Sequence, residues 1–307
     1  MKILVCDPME SSAIERMRLA GLTVDVRDSI TLDELNTVLK DYDGMVVRSR
    51  TKVRAPSIDL APNLKVIVRG GVGLDTIDAD YARSKGITVM NTPLSSSASV
   101  AELAIGYMIA LARAIPATTA SMRAGKWEKK KFEGDEIGGK TLGVVGIGNI
   151  GKEVAKRALA LGMNVIVYDP YAVAPEHLTK VGLDELLAKA DYITFHMPLT
   201  PETRHMIDAQ AFAKMKTGVR IINCARGGIV DEDALYDALV SGKVAGAALD
   251  VYAQEPSEGH KLFTLEQVIG SPHIGAATRE AQQRIGAEVA DKLIEFYHRM
   301  GEPHPMG

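Results

Sequence analysis

Residues 141–151 read Thr141-Leu142-Gly143-Val144-Val145-Gly146-Ile147-Gly148-Asn149-Ile150-Gly151, near the middle of a chain of 307 residues. The apolar first half of this stretch predicts a short buried strand, and the G-x-G-x-x-G spacing that follows predicts a tight turn. Residues 152–161 then predict a helix. The stretch therefore predicts a strand, a turn and a helix start whose first N–H groups are available to an anion.

Each glycine of this turn has a separate predicted role. Gly146 permits the turn, Gly148 lets the backbone approach a pyrophosphate, and Gly151 lets the helix pack close to the strand. A second predicted strand, 164–168, ends in Asp169, about 20 residues beyond the turn, where a carboxylate binds the ribose hydroxyls of NAD. The sequence therefore predicts an NAD site, the alternative being an ordinary turn followed by an aspartate that opens the next loop.

The composition is that of an ordinary globular protein, with 46% hydrophobic and 24% charged residues. A net charge of −3 gives no reason to expect nucleic acid or an anionic membrane as a partner. Two cysteines, Cys6 and Cys224, offer no disulfide framework and are typical of a reducing compartment. No apolar run of about 18 residues is present. We expect a cytoplasmic protein.

The alternation of strand and helix signals predicts an α/β protein with two Rossmann-like parallel-sheet domains. Residues 1–94 predict five strands of a small flavodoxin-like domain, and the segment 95–283 predicts a six-stranded nucleotide-binding domain. A long helix at 280–300 follows the sixth strand and is free to return to the first domain. We therefore expect an NAD-binding domain, 95–283, inserted into a substrate-binding domain made of 1–94 and 284–307.

Polar and glycine-rich loops follow several strands of the first domain, where parallel sheets bind their ligands. Arg48 and Arg69 are candidate clamps for a carboxylate or phosphate, with Gly70 and Gly71 beside the second arginine. Lys130, in the lysine-rich run around the single tryptophan, is a candidate phosphate contact from this subunit or a neighbouring one. The alternative in each case is a solvated charge.

A helix predicted at 99–113 is apolar nearly all round, which requires burial on more than one side. It either crosses between the domains, packs against another subunit, or lies in the interior of a monomer.

Three late loops carry the residues that a hydroxy-acid oxidation needs, namely a base for the hydroxyl proton and a cation for the acid. His273 is the candidate base, Glu255 the carboxylate that orients its ring, and Arg226 the carboxylate clamp. Taken singly, each has a structural alternative, such as a salt bridge or a loop start. No two of the other histidines lie at metal-ligand spacing, so no metal site is expected.

These residues also resemble the D-isomer-specific 2-hydroxyacid dehydrogenase family, and the likeness is greatest to its phosphoglycerate-oxidising branch. The resemblance runs over nearly the whole chain, with its most specific parts at 120–132, 139–143 and 223–232. It implies that Arg226 binds and polarises the substrate, that Glu255 supports the histidine, and that His273 donates and accepts the proton.

The resemblance also implies the contacts with NAD and a homodimer through the NAD-binding domain, with Asp250 holding the nicotinamide amide. Besides the three glycines, the implied NAD-binding residues are Asn149, Ile150, Asp169, Cys224, Ala225, Asp250, Gly275 and Ala276. Val72 and Met197 stand where many relatives have threonine, so only backbone contact with NAD is expected there.

The implied activity is NAD-dependent oxidation of D-3-phosphoglycerate to 3-phosphohydroxypyruvate, the first step of serine biosynthesis. A short form without the regulatory domain of longer relatives is expected, because the sequence ends at Gly307. The alternatives are another enzyme of the family, either a glyoxylate or hydroxypyruvate reductase or a D-lactate dehydrogenase, and, more distantly, an NAD-sensing protein that resembles the corepressors of this fold.

Overall fold

The computed structural model describes residues 1–301 and divides the chain into two compact units. The terminal unit comprises Met1–Ser96 and Ala276–Gly307, and the central unit comprises Ser97–Gly275. Residues 276–283, assigned above to the NAD-binding domain, thus belong to the terminal unit. Residues 302–307, assigned above to the substrate domain, lie outside the described part of the chain.

The terminal unit contains a five-stranded parallel sheet in the order β2-β1-β3-β4-β5. Its strands are β1 (Lys2–Val5), β2 (Thr23–Val26), β3 (Gly44–Val47), β4 (Val66–Arg69) and β5 (Thr88–Asn91). Its helices are α1 (Ser11–Leu19), α2 (Leu32–Val38), α3 (Ala55–Asp59), α4 (Ala79–Ser84) and, from the end of the chain, α11 (Arg279–Gly301).

Helices cover both faces of this sheet because alternate strand residues point to opposite sides. Ile3 and Val5 belong to the core cluster under α1 and α11, whereas Leu4 and Cys6 belong to the cluster under α2, α3 and α4. The returning helix α11 contributes its own apolar stripe to the first cluster, with Ile285, Val289, Ala290 and Leu293 all buried.

The central unit contains a seven-stranded parallel sheet in the order β12-β11-β10-β9-β6-β7-β8. Its strands are β6 (Thr141–Val145), β7 (Asn164–Tyr168), β8 (Thr179–Lys180), β9 (Tyr192–Phe195), β10 (Val219–Asn223), β11 (Val244–Leu249) and β12 (Val268–Gly270). The predicted class, two Rossmann-like parallel-sheet domains, is confirmed. The expectation of six strands here is wrong, because the two-residue strand β8 adds an edge beside β7.

The central helices are α5 (Ser97–Ala112), α6 (Ile115–Arg123), α7 (Asn149–Ala160), α8 (Leu183–Lys189), α9 (Ala209–Lys214) and α10 (Glu232–Val240). Helices α5 and α7 share one core cluster, while α8, α9 and α10 pack in the cluster on the other face of the sheet. The order in which strands are added to the sheet reverses between β6 and β9, which is the switch point at which doubly wound sheets bind ligands.

Helix α5 is the apolar helix noted in the sequence, and most of it is buried in the central unit, with Glu102, Gly106 and Ile109 exposed along one face. Val100, Ala104, Tyr107 and Met108 are buried in the cluster that it shares with α7. Within residues 1–301, no single helix has both the length and the apolar character needed to cross a membrane. The pair α5 and α6, bent by 63°, meets that test on length and composition alone.

Candidate active site

The glycine turn between β6 and α7 has the geometry that its sequence predicts. Gly146 has a φ of 95°, and a Cβ there would lie 2.5 Å from the His196 carbonyl oxygen. A Cβ on Gly151 would lie 2.1 Å from the Gly146 carbonyl oxygen, so only glycine permits this approach of helix and strand. Gly148 differs, because a Cβ there would meet no described atom within 4 Å.

The open space beside Gly148 lies at the N-terminus of α7, which carries no side-chain cap in the described chain. Asn149 and Ile150 form the first turn of this helix. Uncapped N–H groups at a helix N-terminus bind phosphate, and the missing Cβ leaves room for it. The residues present therefore fit the pyrophosphate of a dinucleotide.

Asp169 follows β7 and is tied to the glycine turn by its own carboxylate. Oδ2 accepts from the Ile147 N–H at 2.9 Å, and Oδ1 accepts from the Tyr171 and Ala172 N–H groups at 2.9 and 2.8 Å. Burial acts to raise the pKa of Asp169, but these three hydrogen bonds hold it below its ordinary value. The ionised carboxylate thus fixes the turn.

Asp250 follows β11, is only 1% exposed, and holds the loop after β12. Its Oδ1 accepts from the Ile274 N–H, and its Oδ2 from the Gly275 N–H, both at 2.7 Å. The Ser271 hydroxyl also donates to Oδ1, and Tyr107 of α5 bonds to that same hydroxyl. Asp250 therefore fixes the backbone on either side of Ile274, a structural task that the sequence did not reveal.

Glu255 and His273 come from two different loops and meet in the structure. Nδ1 of His273 lies 2.8 Å from Oε2 of Glu255, and Oε1 of Glu255 accepts from the Tyr252 N–H at 3.1 Å. Burial acts to raise the pKa of Glu255, but the bond to His273, its charge and that of Arg226 hold it below its ordinary value. The His273 side chain is 46% exposed, so the rest of its ring is accessible to a substrate.

Arg226 lies in the loop after β10, beside the Glu255 loop after β11. Asn223 shapes this loop, since its amide donates to the Arg226 carbonyl oxygen at 2.9 Å and accepts from the Ala225 N–H at 3.1 Å. Cys224 and Ala225 are buried at the end of the strand, and burial raises the pKa of the Cys224 thiol, which is therefore protonated at neutral pH.

The structure brings most of the predicted site residues to the carboxyl edge of the central sheet, and His196 and Met197 follow β9 there. His196 was not predicted to have a role. Its Nε2 bonds to Thr194 Oγ1 at 2.9 Å, and its buried Nδ1 has no hydrogen-bond partner among residues 1–301. This burial lowers the pKa of His196 to about 3, so its ring is neutral.

The residue pattern of this edge matches a known family over more than half of the chain. Residues 105–275 match the model of the NAD-binding domain of D-isomer specific 2-hydroxyacid dehydrogenases. The chain belongs to the D-isomer specific 2-hydroxyacid dehydrogenase family. Its cofactor is NAD.

Two relatives in this family are about equally similar to this chain but are named as different enzymes. The D-3-phosphoglycerate dehydrogenase of Methanocaldococcus jannaschii is 50% identical over 95% of this chain and 57% of its own length. The chain thus spans little more than half of that relative. The hydroxypyruvate reductase of Thermotoga maritima is 48% identical over 96% of this chain and 97% of its own length.

Solved structures of the family agree with the fold. The D-lactate dehydrogenase of Aquifex aeolicus, solved with NAD and lactic acid, superimposes with a TM-score of 0.85 at 31% identity. The match covers 97% of this chain and 96% of that one.

The other predicted residues of this dehydrogenase lie in the terminal unit or at the surface. Arg48, Arg69, Gly70 and Gly71, together with Val72 and Ala276, belong to the terminal unit. The Arg48 guanidinium donates to the Pro8 carbonyl oxygen and to Gln282. That of Arg69 packs over the Gly71 α-carbon, where a Cβ would lie 2.2 Å from Nη1. Lys130 belongs to an exposed 3-10 turn of the central unit, Lys129–Lys131.

A buried carboxylate missed by the sequence analysis organises the Arg48 loop. Asp7 is 2% exposed and accepts from the Arg48 N–H at 2.5 Å and from the Thr51 hydroxyl at 2.8 Å. Arg50 bonds to Asp7 at 3.0 Å and to the Cys6 carbonyl oxygen at 2.5 Å. The sequence signal for this role was an aspartate directly after a strand. The residues that Asp7 binds could not be read from the sequence, because they lie more than forty residues away.

Within 1–301, no group of three or more histidine, cysteine, aspartate or glutamate side chains is arranged to hold a metal ion.

Proposed function

We propose that this chain oxidises D-3-phosphoglycerate to 3-phosphohydroxypyruvate with NAD, at the first step of serine biosynthesis. The observation that carries the proposal is the bond of 2.8 Å between His273 and Glu255 at the edge that also bears the glycine turn. The identity of 50% to a D-3-phosphoglycerate dehydrogenase supports the choice of substrate.

His273 is the proposed base, and its hydrogen bond assigns its tautomer. A carboxylate is an acceptor only, so Nδ1 carries the proton that it donates to Glu255. Nε2 then holds the lone pair and takes the hydroxyl proton of the substrate. Glu255 stabilises the imidazolium that results, as a carboxylate partner does.

Arg226 is the proposed clamp for the substrate carboxylate and the oxygen at C2. A guanidinium binds a carboxylate through two parallel hydrogen bonds and stabilises negative charge on the neighbouring oxygen. NAD, when bound, accepts the hydride from C2. The hydroxyl proton goes to His273 as the C2–O bond becomes double, and reduction of the 2-oxo acid reverses both transfers.

The phosphate end of the substrate is assigned to Arg48 and Arg69 with the backbone of Gly70 and Gly71, and to Lys130. The arginine loops follow β3 and β4, at the carboxyl edge of the terminal sheet, where parallel sheets bind ligands.

Reduction of hydroxypyruvate, which lacks the phosphate, is the second candidate. It is favoured by the Thermotoga maritima relative, which is matched over 97% of its own length. Both candidates use the same proton chemistry, so the phosphate distinguishes them.

A substrate panel tests the choice. We expect kcat/KM with NAD to be highest for D-3-phosphoglycerate, compared with glycerate, D-lactate and glycolate. Arg69→Gln is expected to remove most of this preference, whereas Arg54→Gln, an arginine paired with Asp78 at the surface, leaves it unchanged. A preference for unphosphorylated acids would favour the hydroxypyruvate reductase, and turnover of no acid would favour an NAD-sensing protein.

The base is tested separately from the substrate. His273→Gln is expected to lower kcat by roughly 10²–10⁴, the usual contribution of general acid–base catalysis, with little change in the Kd of NAD. His177→Gln, a change at an exposed histidine of the same unit, is the matched control. A kcat near that of the wild type in folded His273→Gln would contradict the assignment.

The proposed assembly is a homodimer through the central unit. Helix α6 has no buried residue in the described chain, and Ile115 and Met122 on it are 46% and 55% exposed. Trp127, which follows, is 81% exposed. Exposed apolar side chains of this size on one segment mark an association surface.

A further inference from the structure

Glu232, on the first turn of α10, reaches out of its helix to the loop that carries Glu255. Its Oε1 accepts from the Ala253 N–H at 2.8 Å. The preceding residue, Asp231, already caps the helix by accepting from the Asp233 and Ala234 N–H groups at 3.0 Å. The carboxylate of Glu232 is therefore not needed as a cap and is committed to the loop.

His260 holds the second oxygen of this carboxylate. Its Nε2 lies 2.9 Å from Glu232 Oε2, and the side chains of His260 and Glu232 are 17% and 19% exposed. The other ring nitrogen, Nδ1, accepts from the Leu262 N–H at 3.3 Å. Because Nδ1 is an acceptor, the proton lies on Nε2, which donates it to Glu232. The pair is thus a neutral histidine and an ionised glutamate, both oriented.

The two peptides that flank the Tyr252 α-carbon are each held by one glutamate. The Tyr252 N–H is bonded by Glu255 and the Ala253 N–H by Glu232. A Cβ on Gly227 would lie 1.8 Å from the Tyr252 carbonyl oxygen, so the Arg226 loop packs directly on the peptide between Tyr252 and Ala253. A shift of the peptide would displace both Glu255 and the Arg226 loop.

We propose that Glu232 and His260 are positioning residues that set the geometry of the Glu255–His273 pair through the Ala253 N–H. The proposal rests on the proposed function, since it adds to that site two residues that do not touch the substrate. Glu232 holds the peptide, and His260 bonds to the other oxygen of Glu232. Small displacements of a catalytic pair are costly, since about 1 Å reduces a rate by roughly 10².

The test compares variants that remove both bonds of Glu232 with variants that remove one. Glu232→Ala removes the bonds to Ala253 and His260, whereas Glu232→Gln keeps an oxygen for Ala253. In His260→Gln the amide nitrogen takes the place of Nε2 and keeps a donor for Glu232. In His260→Asn the shorter amide takes the place of Nδ1, so the donor for Glu232 is lost. Asp233→Asn is the matched control, because Asp233 is an exposed carboxylate of the same turn that pairs with Lys261.

Two readouts separate positioning from general stability. The first is whether kcat changes while KM does not. The second is the proton NMR signal of His273 Nδ1–H, recorded without substrate. This signal is identified by its loss in His273→Gln. We expect Glu232→Ala and His260→Asn to lower kcat at least about tenfold with an unchanged KM for NAD, and to broaden the NMR signal. His260→Gln and Asp233→Asn should stay within about threefold of the wild-type kcat, whereas Glu232→Gln, which keeps an acceptor for Ala253 but sets its amide nitrogen against the His260 Nε2–H, should fall between Glu232→Ala and the wild type.

An unchanged kcat and NMR signal in folded Glu232→Ala would overturn the proposal. If that variant does not fold, His260→Asn against His260→Gln gives the decision, and equal behaviour of these two would overturn it. The NMR signal needs no turnover. If the wild type oxidises no 2-hydroxy acid, the proposed function fails, while the NMR comparison still tests the positioning.

Discussion

Asp169 has two tasks for one carboxylate. It accepts three backbone N–H groups, including that of Ile147 in the glycine turn, and it stands where the ribose hydroxyls of NAD are expected. A negative charge at that point also repels the 2′-phosphate of NADP. Removing the carboxylate would change the shape of the turn together with the cofactor preference, so the variant must keep an acceptor oxygen.

Asp169→Asn is such a variant, because its amide oxygen can still accept from the Tyr171 and Ala172 N–H groups, while the charge and the acceptor for Ile147 are lost. We expect kcat/KM for NAD to fall by roughly 10- to 100-fold, as for the loss of a hydrogen bond to a charged group, and that for NADP to fall less or rise. Steady-state kinetics with both cofactors measures the ratio. Asp184→Asn, which breaks a surface pair with Lys214, serves as the control. An unaltered ratio would show that Asp169 does not select the cofactor.

His196 makes the stability of the protein depend on pH. Its folded-state pKa is lowered to about 3 by burial, whereas an unfolded histidine titrates near its ordinary value of about 6.5. Between these values the unfolded chain binds more protons than the folded one. Stability is therefore expected to fall as the pH falls through this window.

His196→Gln should flatten this dependence above the range in which carboxylates titrate. We expect Tm of the wild type to fall by about 5 °C more than that of the variant between pH 6.5 and 4.5. Calorimetry at several pH values measures the difference, with His177→Gln, an exposed histidine, as the control. Parallel Tm curves for wild type and His196→Gln would mean that the ring titrates normally in the folded state.

At the scale of elements, the glycines between β6 and α7 serve different partners. Gly151 serves the packing of the helix on the strand, where a Cβ would be 2.1 Å from the Gly146 carbonyl oxygen. Gly148 faces open space, in which the pyrophosphate of NAD is proposed to bind. The same substitution should therefore mainly lower stability at Gly151 and mainly weaken NAD binding at Gly148.

Gly151→Ala is expected to destabilise the fold by about 1–3 kcal/mol, the usual cost of overpacking. Gly148→Ala should leave Tm nearly unchanged but weaken NAD binding at least about tenfold, because its methyl group takes the space of the pyrophosphate. Thermal unfolding and NAD titration by fluorescence measure the two effects. Similar losses of Tm in both variants would refute this separation of roles.

At the scale of the whole molecule, α6 and the segment that follows it form one exposed apolar surface. On α5, Ile109 is 36% exposed, whereas Ile115 and Met122 of α6 and Trp127 are 46%, 55% and 81% exposed, so the proposed dimer surface lies on α6 and the segment after it. An association surface made of such side chains is weakened by a charge placed at its centre.

Met122→Lys is expected to raise the dissociation constant of the dimer at least tenfold, about 1.4 kcal/mol. Sedimentation velocity over a concentration series measures it. Val240→Lys, at a position that is 61% exposed on α10, is the matched control. A sedimentation coefficient that is the same for Met122→Lys and wild type at every concentration would place the interface elsewhere, or show that the chain is a monomer.

Much of the fold was predictable because its signals are local. Strand β7, Asn164–Tyr168, has the bounds predicted for it, since a buried strand leaves an apolar run. Strand β8 was missed because two exposed residues, Thr179 and Lys180, leave no such run. Helix α6 was missed because none of its described residues is buried, so it has no apolar stripe facing a core.

Residue type and spacing alone determined the glycine turn, Asp169 and the candidates Arg226, Glu255 and His273, because turn geometry and chemistry belong to the residues themselves. The tertiary structure decided which of them meet, and it added Asp7, Glu232 and His260. Ala253 and Glu232 are 21 residues apart, and Arg48 and Asp7 are 41 apart. Such partners come together only because parallel strands bring their carboxyl ends to one edge, and local sequence carries no record of which loops become neighbours there.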